Sequence, residues 1–568
     1  MFSDQWNYGK RIAISLGILA LMSGGVWAQS MAELRGDAES SQDVLTYGSG
    51  WGQQRHSRLD LITPRNVGNL TPTWALSLNH TANASTQPLL IDGTLFVALH
   101  DATVAVDALS GRQKWRVPVE LPPDVNAYLC CGIQSRGMAA LDGVLYRTTL
   151  DAHVVAISQR DGKVLWKQRA ADYKSGYSMT HAPLVAGGVL ITGISGGEYG
   201  ARGFIDAWDL KTGERRWRRW TTAAPDEKGG DTWAPGRFEH GGGPTWLTGT
   251  YDPELDLVFW GVGNGSPWNA AARGGDSLYI GSALALRPAT GEIVWHYQFS
   301  PGDPYDYDGT NELVLADLPI AGKKTKVVMQ ANRNGFFYVL ERSTGKLLSA
   351  TPFAKKVNWA DGIDLKSGRP IDTPMTAEVR KNEVMKDFIE VWPSAFGGKN
   401  WMPMSFDQKR GLAFFNTINL GMKVKYVKQD GPKPPTWYLG LELGGFVAPP
   451  DGMRGSLVAW DPVTGKKRWE VDSKTPFWSG VLSTAGGVVF TGAQTGEFVA
   501  FDAATGKKLW QFQTGSGITG IPITWERDGK QYVTVTSGAA TVYGALAGDP
   551  ELANMSPGST LWTFSLGR

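Results

Sequence analysis

The stretch Ala500-Phe501-Asp502-Ala503-Ala504-Thr505-Gly506-Lys507-Lys508-Leu509-Trp510 reads as a strand end, a tight turn and a second strand that carries a tryptophan. The same pattern, Ala-x-Asp-x-x-Thr-Gly-x-x-x-Trp with some exchange, recurs at Ala105–Trp115, Ala207–Trp217, Ala285–Trp295 and Ala459–Trp469. Weaker copies lie at Ala156–Trp166 and at Val339–Ser349, which lacks the tryptophan. Trp74, Trp115, Trp166 and Trp217 follow one another at 41 or 51 residues, as do Trp469 and Trp510 at 41. A repeat of 40–50 residues built from short strands is the signature of propeller blades. The Thr-Gly pair supplies a hairpin turn in which glycine accepts a positive φ. The stretch before it, such as Gly486-Gly487-Val488-Val489-Phe490-Thr491-Gly492, reads as a half-buried strand. The tryptophan is expected to pack between consecutive sheets, and sheets that cannot bury their faces alone close into a ring. The expectation is an all-β, eight-bladed β-propeller over residues 45–568, with insertions near Thr221–Gly243 and between Ser349 and Trp401.

The N-terminus reads differently. Lys10-Arg11 is a basic start, Ile12–Leu21 an apolar run, and Val26-Trp27-Ala28 a small-residue cleavage site before Gln29. That is the pattern of a signal peptide over residues 1–28, followed by an N-terminal segment over 29–44. The apolar run is short for a membrane span, which needs about 20 residues, although an uncleaved anchor is the alternative. A formal net charge of +2 argues against a nucleic-acid partner. The chain has two cysteines, the neighbours Cys130 and Cys131. In an oxidising exported compartment they form either a disulfide across one peptide bond or two buried free thiols.

Three loops carry chemistry. Glu198 sits in Gly193-Ile194-Ser195-Gly196-Gly197-Glu198-Tyr199-Gly200, and Asn264 in Gly261-Val262-Gly263-Asn264-Gly265. Asp306 and Asp308 lie two apart in Asp303-Pro304-Tyr305-Asp306-Tyr307-Asp308-Gly309, so an extended backbone would point both the same way. These are hard oxygen ligands, suited to calcium or a similar cation. Seven scattered histidines without HExxH argue against zinc. The plainer reading of each loop alone is a carboxylate capping a turn.

Taken together, these segments resemble the pyrroloquinoline quinone (PQQ)-dependent alcohol dehydrogenases of the methanol/ethanol dehydrogenase type. The resemblance begins at Tyr47-Gly48-Ser49-Gly50-Trp51 and Gln54-Arg55-His56-Ser57, runs through the tryptophan repeats, and covers nearly the whole chain after residue 28. It implies a quinone on the propeller axis, with a Cys130–Cys131 disulfide against one face and Trp246 stacked on the other. It implies that Arg136, Thr180 and Ser195 hold the quinone carboxylates. The backbones of Gly196 and Gly197 would approach the cofactor, Arg333 would sit near its carbonyls, and Asn400 and Trp401 at its edge. Glu198, Asn264 and Asp306 match the metal ligands, Asp306 also the catalytic base, and Trp268 a wall of the substrate pocket. One departure is visible: many relatives carry a glutamate where this chain has Ala84-Ser85-Thr86.

Asp308 resembles the extra aspartate of the lanthanide-dependent branch. A further carboxylate crowds a divalent ion, whereas a trivalent ion attracts each ligand about half as strongly again. A lanthanide is therefore favoured over calcium, with Asp308 as a ligand. The resemblance implies oxidation of a small primary alcohol in the periplasm after cleavage of the signal peptide. Without a CxxCH haem motif, electrons are expected to pass to a periplasmic cytochrome c. A homodimer is compatible with this. The alternatives are a quinone enzyme for a sugar, polyol or aldehyde, and a non-catalytic propeller scaffold.

Overall fold

The computed structural model describes residues 29–79, 82–538 and 542–567; the expected signal peptide lies outside the described residues. Among them, seven antiparallel sheets of four strands and one of five follow in chain order as eight blades. The closing blade joins the two ends of the chain. Leu70–Ser77 pairs with Thr560–Leu566, which continues to Lys530–Ser537 and Ile523–Arg527. The fifth strand of the last blade is His56–Ser57, which runs parallel to Leu482–Thr484.

The repeat explains how blades dock. Trp74, Trp166, Trp217, Trp295, Trp469 and Trp510 each donate their indole N–H to a main-chain carbonyl of the following blade, at 2.8–3.3 Å. The indole then covers the turn glycine of that blade. A Cβ placed on Gly213, Gly291, Gly345 or Gly506 would come within 2.5–2.7 Å of the ring of Trp166, Trp217, Trp295 or Trp469. Tryptophan and glycine of the motif therefore pair between neighbouring blades and not within one. Where the repeat at Val339–Ser349 lacks the tryptophan, Thr351 takes its place against Gly465.

Two expectations are corrected. The turn is wider than a two-residue hairpin: Asp209 N–H bonds Glu214 O at 2.8 Å, with Gly213 N–H on Asp209 O at 2.9 Å. The motif's aspartate shapes this turn, because its carboxylate accepts the N–H groups of Lys211 and Thr212. Second, Val488–Gly492 is buried along its whole length, as are most inner strands, because neighbouring blades cover both faces. The polar alternation falls on outer strands such as Lys508–Gln513.

The insertions stand where the spacing placed them. The first holds short 3-10 turns at Gly230–Thr232 and Arg237–His240. The second holds a hairpin (Ala360–Ile363 with Pro370–Asp372), a helix Pro374–Val379 and a strand Ile389–Val391. A third, unforeseen insertion interrupts the blade that begins at Ser405–Asp407, between its strands Leu412–Ile418 and Gly455–Asp461. Its strands Gly421–Tyr426 and Leu441–Val447 join Ile389–Val391 in a separate three-stranded sheet.

Gly506 and Gly529 separate the docking term from the backbone term. Both have φ near +72°, but only Gly506 faces an indole, and nothing lies within 4 Å of a Cβ on Gly529. Gly529→Ala should lose about 1 kcal/mol for left-handed backbone alone. Gly506→Ala should lose clearly more, read as a larger drop in Tm. Equal drops would mean that the indole contact carries no stability.

Candidate functional site

Loops from successive blades meet in one pocket. Cys130 comes from the connection after the first full repeat, Thr180 and Trp246 from the next two, Asp306 from the fourth and Asn400 from the fifth. Only the ring axis is reachable from all of these.

Asp306 has a left-handed backbone, φ +66°, which an L-residue adopts only when its surroundings impose it. Here Asp303 imposes it. Its buried carboxylate accepts the N–H groups of Tyr305 (3.1 Å) and Tyr307 (2.7 Å). The two tyrosines are fully buried, their hydroxyls bonded to Thr376 Oγ1 and Pro393 O. The segment is thus a tight loop and not extended. Asp306 and Asp308 still converge, because the Arg333 guanidinium grips Asp306 Oδ2 at 2.8 Å and Asp308 Oδ2 at 3.1 Å. Asp308 is further held by Trp246 Nε1–H (2.8 Å) and by Asn264 N–H (2.5 Å).

Glycines bring the other two loops close. A Cβ on Gly263 would meet Asp308 Oδ1 at 2.5 Å, and one on Gly197 would meet Asn264 Oδ1 at 2.7 Å. Glu198, Asn264, Asp306 and Asp308 therefore share one neighbourhood. Burial raises the Glu198 carboxyl to about 7, and the Asp308 charge adds to the shift. Burial also raises Asp306 well above the usual range, with Asp308 and Glu198 adding and Arg333 opposing. Carboxylates crowded out of water favour a neutralising partner.

Across the pocket, Cys130 and Cys131 are linked by a disulfide, so neither thiol is free. Their loop is steadied by the edge-on contact of Tyr128 with Tyr173, ring centroids 5.6 Å apart. The Arg136 guanidinium lies over the rings of Trp246 (4.9 Å) and Trp401 (5.2 Å) and donates to Thr180 Oγ1 at 2.5 Å. Behind Asn400, the buried pair Lys399–Glu312 (2.8 Å) ties down the chain, with Lys399 Nζ also on Asn400 O.

Of the residues singled out from the sequence, the pocket is lined by Cys130, Cys131, Arg136, Thr180, Ser195 and Gly196. Glu198, Trp246, Trp268, Asp306 and Asp308 also line it, together with Arg333, Asn400 and Trp401. Gly197 and Asn264 stand just behind the wall, in contact with each other. Sequence reasoning missed Asp303, which an Asp-Pro turn signal points to. It also missed Lys399 and the apolar wall of Phe396, Phe446, Trp478 and Tyr543, for which a single sequence carries no local signal. At the departure from the family pattern, Gln87 is occupied with Gly48 N–H and Thr46 O, and Asn83 lines the pocket.

Among the described residues, no three carboxylate, imidazole or thiol side chains form a ready metal cage. Yet Asn264 Oδ1 and Asp306 Oδ1 are buried acceptors without a hydrogen-bond partner, as is the hydroxyl of Ser195. The Nε groups of Arg136 and Arg333 and the indole N–H of Trp268 are buried donors without one. In folded proteins most buried polar atoms have a hydrogen-bond partner, so six orphans lining or backing one pocket point to a ligand. Orphan oxygens on the carboxylate side fit a hard cation, and orphan N–H groups beside two indoles and a disulfide fit a flat, acidic molecule.

The comparisons agree with this geometry. The family described as PQQ: glucose/ethanol/alcohol dehydrogenase, beta-propeller domain, matches residues 45–357 and 470–533. The chain is 39% identical to the quinoprotein alcohol dehydrogenase PedH of Pseudomonas putida, over 98% of its own length and 96% of that protein's. It is 37% identical to a quinoprotein ethanol dehydrogenase of Pseudomonas putida, over 94% and 92%. The fold superposes on a europium-containing methanol dehydrogenase with a TM-score of 0.88 at 32% identity, covering 94% of this chain and all of that one. It superposes on the quinohemoprotein alcohol dehydrogenase from Comamonas testosteroni with a TM-score of 0.86 at 37% identity, covering 94% and 82%. A tryptophan-docked propeller whose axial pocket joins a vicinal disulfide, paired arginines and clustered carboxylates, and whose sequence matches along nearly its whole described length, belongs to the PQQ-dependent quinoprotein alcohol dehydrogenases.

Proposed function

We propose that this protein oxidises primary alcohols to aldehydes in the periplasm, with PQQ in the axial pocket and a lanthanide, in preference to calcium, beside it. The observation that carries this reading is the single pocket shared by the Cys130–Cys131 disulfide, Trp246, Arg136, Arg333 and Asp306. A propeller serving only as a scaffold has no need of that set. The quinone, when bound, supplies the two-electron acceptor, and the metal supplies the positive charge that polarises it.

The protein's own residues do the rest. Trp246 and the disulfide offer flat apolar surfaces for a ring system. Arg136, Thr180 and Ser195 offer donors to carboxylates, and the guanidinium fork suits a planar acid. Arg333 holds Asp306 by Oδ2, which leaves Oδ1 without a partner and free to take the substrate's hydroxyl proton. Burial raises that carboxyl well above the usual range, in the direction a base needs. Trp268, buried at the pocket wall, limits where the carbinol carbon can sit.

Glu198, Asn264, Asp306 and Asp308 would hold the metal. Three of the four are carboxylates, and the extra one, Asp308, favours a trivalent ion. The likeness to a europium-containing enzyme supports this assignment. In this structure Asp308 is bonded to Trp246, Asn264 and Arg333, so it also fixes the other residues of the site. The chain's cysteines are paired with each other and offer no thioether haem site, so we assign the electron acceptor to a separate cytochrome c.

Two measurements test this. Asp306→Asn should lower dye-linked turnover by about 10²–10⁴-fold, with unchanged Tm and quinone absorbance. Retained turnover would remove the base assignment. In metal titrations followed by Eu³⁺ luminescence and calorimetry, the native protein should bind Eu³⁺ in preference to Ca²⁺. Asp308→Ala should reduce or reverse that preference. An unchanged preference in the variant would show that Asp308 only orders its neighbours.

A further inference from the structure

We infer that Lys399 and Glu312 are positioning residues for the quinone site. Their buried ion pair fixes the loop 395–404, and through it the aim of Arg136 and Arg333. This rests on the dehydrogenase reading above and deepens it.

The pair is sealed away from water. The Lys399 side chain is 0% exposed and that of Glu312 5%, with Nζ 2.8 Å from Oε2. Both stand behind the pocket wall and not in it. A buried ion pair is weak evidence for stability, because desolvation offsets the attraction and apolar residues of similar volume hold a core as well. The remaining bonds of this pair are directional. Lys399 Nζ also donates to Asn400 O at 3.1 Å, and Glu312 Oε1 accepts the Met404 N–H at 2.8 Å. The two charges thus grip both ends of the run 399–404, which presents Asn400 and Trp401 to the pocket.

Both pocket arginines lean on this loop. The Arg136 guanidinium lies over the Trp401 ring at 5.2 Å. Arg333 Nη1 donates to Ala395 O at 3.2 Å, and Arg333 O accepts the Gly398 N–H at 2.8 Å. There is no slack between the segments: a Cβ on Gly397 would meet Lys399 O at 2.6 Å and Arg333 Cα at 2.8 Å. Inside the loop, the Asn400 side chain bridges Phe396 O and the Trp401 N–H. The loop therefore moves as one unit, and any shift of 399–404 displaces the surfaces on which both guanidiniums rest.

The other end of the tie lies in the carboxylate loop. Glu312 follows Asp308 by four residues. Between them, Asp308 O is held by the Asn332 side chain at 3.1 Å and Asn311 O by that of Gln330 at 2.5 Å. Arg333 is one link between this loop and 395–404, and the buried pair is the second. The pair thus sets the separation between the carboxylates on one side and the arginines and Trp401 on the other. A ligand that spans the two sides needs that separation held to a fraction of an ångström.

The test uses the full chain and PQQ itself, titrated by absorbance without turnover. Glu312→Gln alone strands the Lys399 charge and should lower Tm. Lys399→Met/Glu312→Gln removes both charges and keeps an acceptor for the Met404 N–H, so Tm should return close to the native value. Quinone affinity in this double variant should still be about tenfold weaker, as is usual when an outer residue that orients a binding group is lost, with a displaced quinone absorption band. As a control, Asp252→Asn, in the buried Arg342–Asp252 pair (3.0 Å) outside the pocket, should lower Tm and leave quinone affinity unchanged. A double variant with restored Tm, native affinity and a native band would reduce the pair to a stabilising contact and overturn the inference. Hydrogen–deuterium exchange of the native protein gives a readout that needs no variant to fold. Peptides across 395–404 should be as protected before quinone is added as after. Protection that appears only with the quinone would show that the ligand orders the loop, and would also overturn the inference. A native protein that takes up no quinone at all would instead overturn the dehydrogenase reading, and this inference with it.

Discussion

Most blades of this protein lean on the next through one contact, an indole laid over a glycine. The glycine has to be bare, because a methyl group there would enter the ring. The indole has to be a tryptophan, because its N–H reaches the neighbouring main chain. Repeated around a ring that the two chain ends close with a shared sheet, this contact fixes where each loop leaves its blade. Loops far apart in sequence are thereby delivered to one axis, and the site depends on that delivery more than on any local conformation.

At the axis the protein gathers charges that disfavour one another. Glu198, Asp306 and Asp308 are brought together by glycine-backed loops, and burial holds two of them well above the normal carboxyl range. Arg333 offsets part of this by gripping Asp306 and Asp308 together. Asp303 commits three residues of backbone to a turn that no extended strand would make. Such an arrangement spends folding stability on a binding function. In the reading proposed above, a cation held at the orphan Asn264 Oδ1 and the neighbouring carboxylates would recover part of that cost.

The mouth of the pocket follows a different rule. The repeat builds the floor, but the chamber above it is walled largely by inserted strands, connecting loops and the short helix Val542–Ala547. Floor and wall are thus built from separate parts of the chain.

The sequence by itself determined the blades, because a strand, an aspartate-shaped turn, a glycine and a tryptophan are all local signals repeated at a steady interval. It also marked Cys130-Cys131, Glu198, Asn264 and Asp306, since rare residue types in glycine-rich loops stand out without any knowledge of neighbours. It misjudged the Asp306 segment as extended, because the turn is imposed by Asp303 and by an arginine 27 residues away. It read inner strands as half-buried, because only assembly shows that a second blade covers the other face. Only the tertiary structure decided which strands form the separate three-stranded sheet, that Lys399 is sealed against Glu312, and that Phe396, Phe446, Trp478 and Tyr543 form one wall. Each of these joins residues distant along the chain through contacts that leave no periodicity behind, so they exist as a pattern only after the ring has closed.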